Sequence, residues 1–117
     1  MDLQTRLEIL NVSGAITDCT KDVMLNVINM FNEKHNIELT EDNGAMMVTH
    51  LSMAITRVKN GEPVKTIDEE VFKETLESEH IERANLIYDD LSEVLDVTLP
   101  DDEKKYMLVN ICVILEK

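Results

Sequence analysis

Apolar residues recur at helical intervals along almost the whole chain, and turn residues cut the pattern into six stretches. Leu3, Leu7 and Leu10 share one side of a short first helix or arm, which the Ser13-Gly14 pair stops. Thr17 and Asp18 then offer capping oxygens to a second helix. Its Val23, Val27, Met30 and Phe31 fall at i, i+4, i+7 and i+8, and it is expected to run to about His35. Thr40-Glu41-Asp42-Asn43 supplies a cap and first-turn acids for a third helix through Val58. Met47, Leu51, Ala54, Ile55 and Val58 form its core stripe, and Lys59-Asn60-Gly61-Glu62-Pro63 closes it. Thr66 or Asp68 opens the fourth stretch, whose buried side is expected at Val71, Phe72 and Leu76. A weak break near Ser78 separates it from a fifth that carries Ile81, Ala84, Tyr88, Leu91 and Leu95. Leu99-Pro100-Asp101-Asp102-Glu103 starts the last helix: proline presets the backbone and acids crowd the positive helix end. From Tyr106 to Leu115 this helix is apolar nearly all round, interrupted only by Asn110, which implies burial on several sides or a subunit interface.

Composition agrees with an all-α fold. Aromatic residues make up only 3% of the 117, against 44% hydrophobic residues and seven methionines, so the core is built of Leu, Ile, Val and Met. The length suits one domain, 1–117, with residues 1–13 as the N-terminal helix or arm and 17–117 as the main bundle. A net charge of -13 opposes nucleic-acid backbones and anionic membrane surfaces alike, which excludes both as direct partners. The acidity is uneven, with eight acids and five bases in residues 1–61 but sixteen acids and six bases in 62–117. A solvated surface explains it better than an acidic docking face. No secretory leader and no membrane-length apolar run is visible, which points to a cytoplasmic protein. Cys19 and Cys112 then read as reduced, buried small hydrophobes.

The candidate chemistry lies in the third helix. His50 and Arg57, seven residues apart, lie on nearly the same side of an otherwise apolar segment. The rise between them is about 10.5 Å. Contact with an anion built on the imidazole therefore needs Arg57 at full stretch, a bridging water, or an arginine from a partner subunit. The plain alternative is a satisfied interior histidine and a helix-end cation. His35, near a helix end, and His80, between Glu79 and Glu82, read as surface residues. Histidine spacing and the unpaired cysteines give no metal motif, and no cofactor motif is seen. Met46, Met47 and Met53 fit core packing better than a partner groove. The adjacent acid pairs Asp89-Asp90 and Asp101-Asp102 splay around a helix and serve as solvated or capping groups rather than as an acid–base dyad.

Two segments resemble one family. His50-Leu51-Ser52-Met53-Ala54-Ile55-Thr56-Arg57, with Gly61 close behind, is similar to the His-(Ile/Leu)-x-(Phe/Met)-Ala-Ile-x-Arg signature of the phosphotransferase-system regulation domain, or PRD. Leu99-Pro100-Asp101-Asp102-Glu103-Lys104-Lys105-Tyr106-Met107-Leu108-Val109-Asn110 resembles that family's Leu-Pro-x-Asp-Glu-x-x-(Tyr/Phe)-(Ile/Leu)-x-(Leu/Ile)-His. The resemblance implies a compact five-helix bundle, here with a short extra N-terminal helix, and a homodimer. It also implies histidines that accept phosphate from HPr or from a sugar-specific enzyme II component.

On this likeness His50 falls on the first phospho-accepting histidine, Arg57 on its nearby arginine, and Asn110 where the second histidine stands. An amide can imitate the hydrogen bonding of an imidazole but cannot carry a phosphoryl group in its place. Most relatives place an RNA-binding or DNA-binding domain ahead of paired regulation domains. This chain shows neither, so regulation of transcription is expected to pass through an unknown trans-acting regulator. The expectation is a phosphorylated regulatory module rather than an enzyme. The alternatives are a degenerate dimeric scaffold that has lost phosphorylation, and an acid–base role for His50 in a pocket shared between subunits.

Overall fold

The structure, a computed structural model, describes residues 1–63 and 66–116. Six helices make up its regular structure, with no strand among the described residues: α1 Leu3–Val12, α2 Asp18–His35, α3 Glu41–Lys59, α4 Glu69–Leu76, α5 Ile81–Val94 and α6 Asp101–Glu116. The all-α expectation is met, and the extra N-terminal element is a helix rather than an arm. The pattern carries the last helix to the chain end; its final residue, Lys117, lies outside the described residues.

Local chemistry accounts for the boundaries. Asp2, Thr17, Thr40 and Asp68 cap four helices, each accepting from a backbone N–H two or three residues on, which satisfies one of the donors a helix start leaves free. At Thr40 the capping is reciprocal. Asn43 N–H donates to the Thr40 hydroxyl, and the Asn43 side-chain oxygen accepts from Thr40 N–H at 2.7 Å. Asn36 ends α2 in the left-handed region at φ 54°, which asparagine tolerates, and Gly61 takes φ 68° in the turn after α3. Leu95, expected within the fifth helix, instead caps it in an extended conformation.

The core runs through all the long helices. Leu7, Met24, Val27, Phe31, Met47, Leu51, Ile55, Ile87, Leu91, Met107 and Ile111 are all buried. Helix α6 lies against α3, α4 and α5; α2 packs on α5 and α3, and α1 covers α2 and α3. Gly44 lets the Leu39 segment press onto α3, because an added Cβ there would meet Leu39 Cβ at 3.3 Å. Lys104 and Lys105 lie over the rings of Tyr88 and Phe72, each 5.3 Å from the centroid, so the first turns of α6 are tied to α5 and α4.

Helix α4 departs from its expected pattern. Val71 and Leu76 are exposed, Phe72 is half-buried, and Thr75 is its buried residue. With only two turns and α6 as its main neighbour, α4 cannot cover a full apolar stripe.

Candidate functional site

Helices α3 and α6 place the candidate chemistry. Along α6, Glu103, Tyr106, Met107 and Asn110 fall on one face at i, i+3, i+4 and i+7, and that face meets the side of α3 carrying His50 and Arg57. His50 Nε2 stands 3.0 Å from Glu103 Oε2, and Arg57 Nη2 donates to Glu103 Oε1 at 3.3 Å. The carboxylate is fully buried, whereas the His50 and Arg57 side chains keep 21% and 22% of their exposure. The His50 ring also packs on Tyr106, with centroids 4.8 Å apart and planes tilted by 31°. Arg57 Nε is buried with no hydrogen-bond partner.

This geometry resolves the spacing problem. Arg57 does not need to reach His50, because Glu103 stands between them and holds both. Along the chain Glu103 is a first-turn acid that suits the helix dipole. It does occupy the first turn of α6, but Asp101 is exposed and Asp102 half-exposed, so Glu103 alone is turned into the bundle. Its place ahead of Met107 in an apolar stripe was the signal available in the sequence. Burying a carboxylate is costly unless it is paired and hydrogen-bonded, and the two partners on α3 meet that condition.

A groove of about 790 Å³ opens beside this cluster, lined by His50, Arg57, Asn110, Met53, Val113 and Arg6, among others. Arg6 of α1 donates to the Glu41 carboxylate and, at 3.3 Å, to the Thr49 hydroxyl. That pairing raises the guanidinium above its ordinary value and holds Glu41 below the usual carboxylate range. Two guanidiniums and an imidazole therefore line one groove together with the carboxylates of Glu41 and Asp42. Asn110 joins them as half-buried wall, its amide donating to the Tyr106 carbonyl of its own helix at 3.1 Å.

Several side chains sit elsewhere than expected. His35 is not a surface residue: its side chain is 14% exposed and its Nε2 lies 2.7 Å from Asp90 Oδ2, which links the end of α2 to α5. His80 is half-buried beside Glu79. Cys112 is buried, and burial raises its thiol pKa, but Cys19 is exposed. Its Sγ lies 3.4 Å from Asp96 Oδ2, which Lys59 Nζ also meets at 2.6 Å. Met47 is core, whereas Met46 is 78% exposed and lines the groove with Met53. The final helix buries Met107, Leu108, Ile111, Cys112 and Ile114 but leaves Val113 exposed on the groove wall.

An all-helical bundle with a histidine, a buried glutamate and an arginine joining its third and last helices is the setting in which the family comparison falls. The chain belongs to the PRD domain family, whose sequence pattern matches residues 25–111. It is similar to YhfY of Escherichia coli (strain K12), an uncharacterized protein. The two are 25% identical over 109 residues, covering 93% of this chain and 91% of that protein. No solved structure gives a significant match. No helix of the described residues is long and apolar enough to cross a membrane.

Proposed function

We propose that this PRD domain is a regulatory module of the bacterial sugar phosphotransferase system. His50 accepts a phosphoryl group from HPr or a sugar-specific enzyme II component, and the phosphorylated chain acts on a partner protein, in transcription regulation among other settings. The observation that carries this reading is the arrangement around His50. The imidazole is held by Glu103, lines an open groove, and has Arg57 on the same carboxylate. A neutral imidazole is a competent nucleophile toward a phosphohistidine donor, and the transfer calls on no metal or Gly-rich loop of this chain. The product is an anion with strong acceptor oxygens on the groove that Arg57 and Arg6 also line, and charge-assisted bonds to it compete with the carboxylates that hold these two guanidiniums. Such a change biases packing by on the order of 1–3 kcal/mol, enough for a switch.

The homodimer of this proposal is expected to bury exposed apolar side chains such as Met46 and Val113. Light scattering on the purified chain tests it: a dimer is expected, and a monomer at every concentration refutes this part.

The second reading, a dimeric scaffold without phosphorylation, draws on Asn110. It lines the groove at the position that resembles the family's second histidine, and its amide donates to the Tyr106 carbonyl of its own helix. Phosphoryl transfer separates the two. The chain is incubated with phosphorylated HPr, and separately with a phosphorylated sugar-specific B component, and its intact mass is read under alkaline conditions. A gain of one phosphate that disappears in His50→Ala is expected. No gain from either donor, with the chain folded, refutes the regulatory module and leaves the scaffold.

A further inference from the structure

Resting on His50 as the phospho-acceptor, we infer that Glu103 selects the ring nitrogen that reacts, holding Nε2 as an N–H donor and leaving Nδ1 as the nucleophile. The carboxylate and its two partners set this choice. Arg57 donates to Oε1, and Oε2 faces His50 Nε2 at 3.0 Å, on a carboxylate with no solvent exposure. A carboxylate so paired offers only acceptors, so the nitrogen facing it carries the proton. In a neutral imidazole the lone pair then lies on Nδ1, which makes no hydrogen bond among the described residues. The ring keeps 21% of its exposure and lines the groove, while the carboxylate on Nε2 keeps none.

The step balances. The Nδ1 lone pair forms a bond to the phosphorus of a donor phosphohistidine. The donor's P–N bond breaks, and its electron pair returns to the donor ring. His50 becomes an Nδ1-phosphoryl imidazolium whose Nε2 proton stays on the hydrogen bond to Glu103, and the donor's phosphoimidazolium becomes a neutral imidazole. The buried carboxylate stabilises the positive ring that forms, as the orienting carboxylate of a catalytic triad does. Attack through Nε2 would instead separate His50 from Glu103 and set a phosphoryl dianion against a buried carboxylate. Glu103 is thus a positioning residue for the transfer, and Tyr106, packed on the ring, limits its rotation.

Histidine-labelled (¹⁵N) protein tests this through long-range proton–nitrogen correlations, with His50 assigned by comparison with His50→Gln. In the free chain at neutral pH, Nε2 is expected to show the protonated, pyrrole-type shift and Nδ1 the pyridine-type shift. After transfer from phosphorylated HPr or the B component, phosphorus coupling is expected at Nδ1. In Glu103→Gln, checked for folding by circular dichroism, an amide NH2 replaces one of the two oxygens that face His50 and Arg57, so one donor loses its acceptor. Transfer is expected to slow on the order of 10²-fold, with Nε2-phosphate appearing beside the Nδ1 product. A purely structural role for Glu103 would not change which nitrogen is modified. An Nδ1–H tautomer in the free chain, or phosphate on Nε2 of the wild type, overturns the assignment while leaving His50 the acceptor. No phosphate from either donor overturns the regulatory reading, and the assignment falls with it.

Discussion

Removing Glu103 is the perturbation that most directly probes this architecture. In Glu103→Ala, Arg57 Nη2 and the His50 N–H both lose their acceptor, and Arg57 Nε already has none. Breaking a buried pair by deleting one member costs about 3–5 kcal/mol. The two donors here keep 21% and 22% exposure, so water reaches them in part, and the cost settles at about 2–4 kcal/mol. For a domain of this size that lowers the melting temperature by about 10 °C. Urea unfolding followed by far-UV circular dichroism measures it, with the double substitution Arg57→Met/Glu103→Met as the partner experiment. The double variant leaves no charge among apolar neighbours without its counter-charge. It is expected to recover at least half of the loss, as replacement of buried ion pairs elsewhere does. A cost below about 1 kcal/mol for Glu103→Ala, or a double variant as damaged as the sum of its single substitutions, would refute the claim that Glu103 is held by these two partners.

Thr40→Ala removes one half of the reciprocal cap on α3 and is expected to lower stability by about 1 kcal/mol in the same urea assay. Burial alone would raise the Asp96 carboxyl, but hydrogen bonds from Lys59 and Cys19 prevail and hold it below its ordinary value. A carboxyl lowered on folding contributes stability above its unfolded value, and that contribution is lost as pH falls through the folded one. Asp96→Asn should therefore unfold more easily near neutral pH by at most about 1 kcal/mol, the difference vanishing in acid; a difference that persists in acid refutes the pairing. Asn110→His places a second imidazole on the groove wall, and on the proposed function intact mass after transfer from phosphorylated HPr is expected to show a second phosphate.

The helices, most of their ends and the family were legible in the sequence, because each is set by neighbours along the chain. Thr17, Thr40 and Asp68 cap the helices that begin beside them, and Asn60-Gly61 stops α3. The intervals of Val23, Val27 and Phe31 or Met47, Leu51 and Ile55 name a buried face whatever it packs against. His50 and Arg57 stood out for the same reason: they interrupt an apolar helix at a fixed spacing. Tertiary structure decided what these groups meet. Glu103 reads along the chain as one of three acids at a helix start, and only the approach of α6 to α3 makes it a buried bridge between His50 and Arg57. His35 became a partner of Asp90, Cys19 stayed on the surface, and Val71 and Leu76 were left uncovered because α4 is too short to bury its stripe. Periodicity fixes which face of a helix is apolar, since that depends on residues a turn apart. Which polar group is buried against it depends on residues far away along the chain, brought together only when the helices pack.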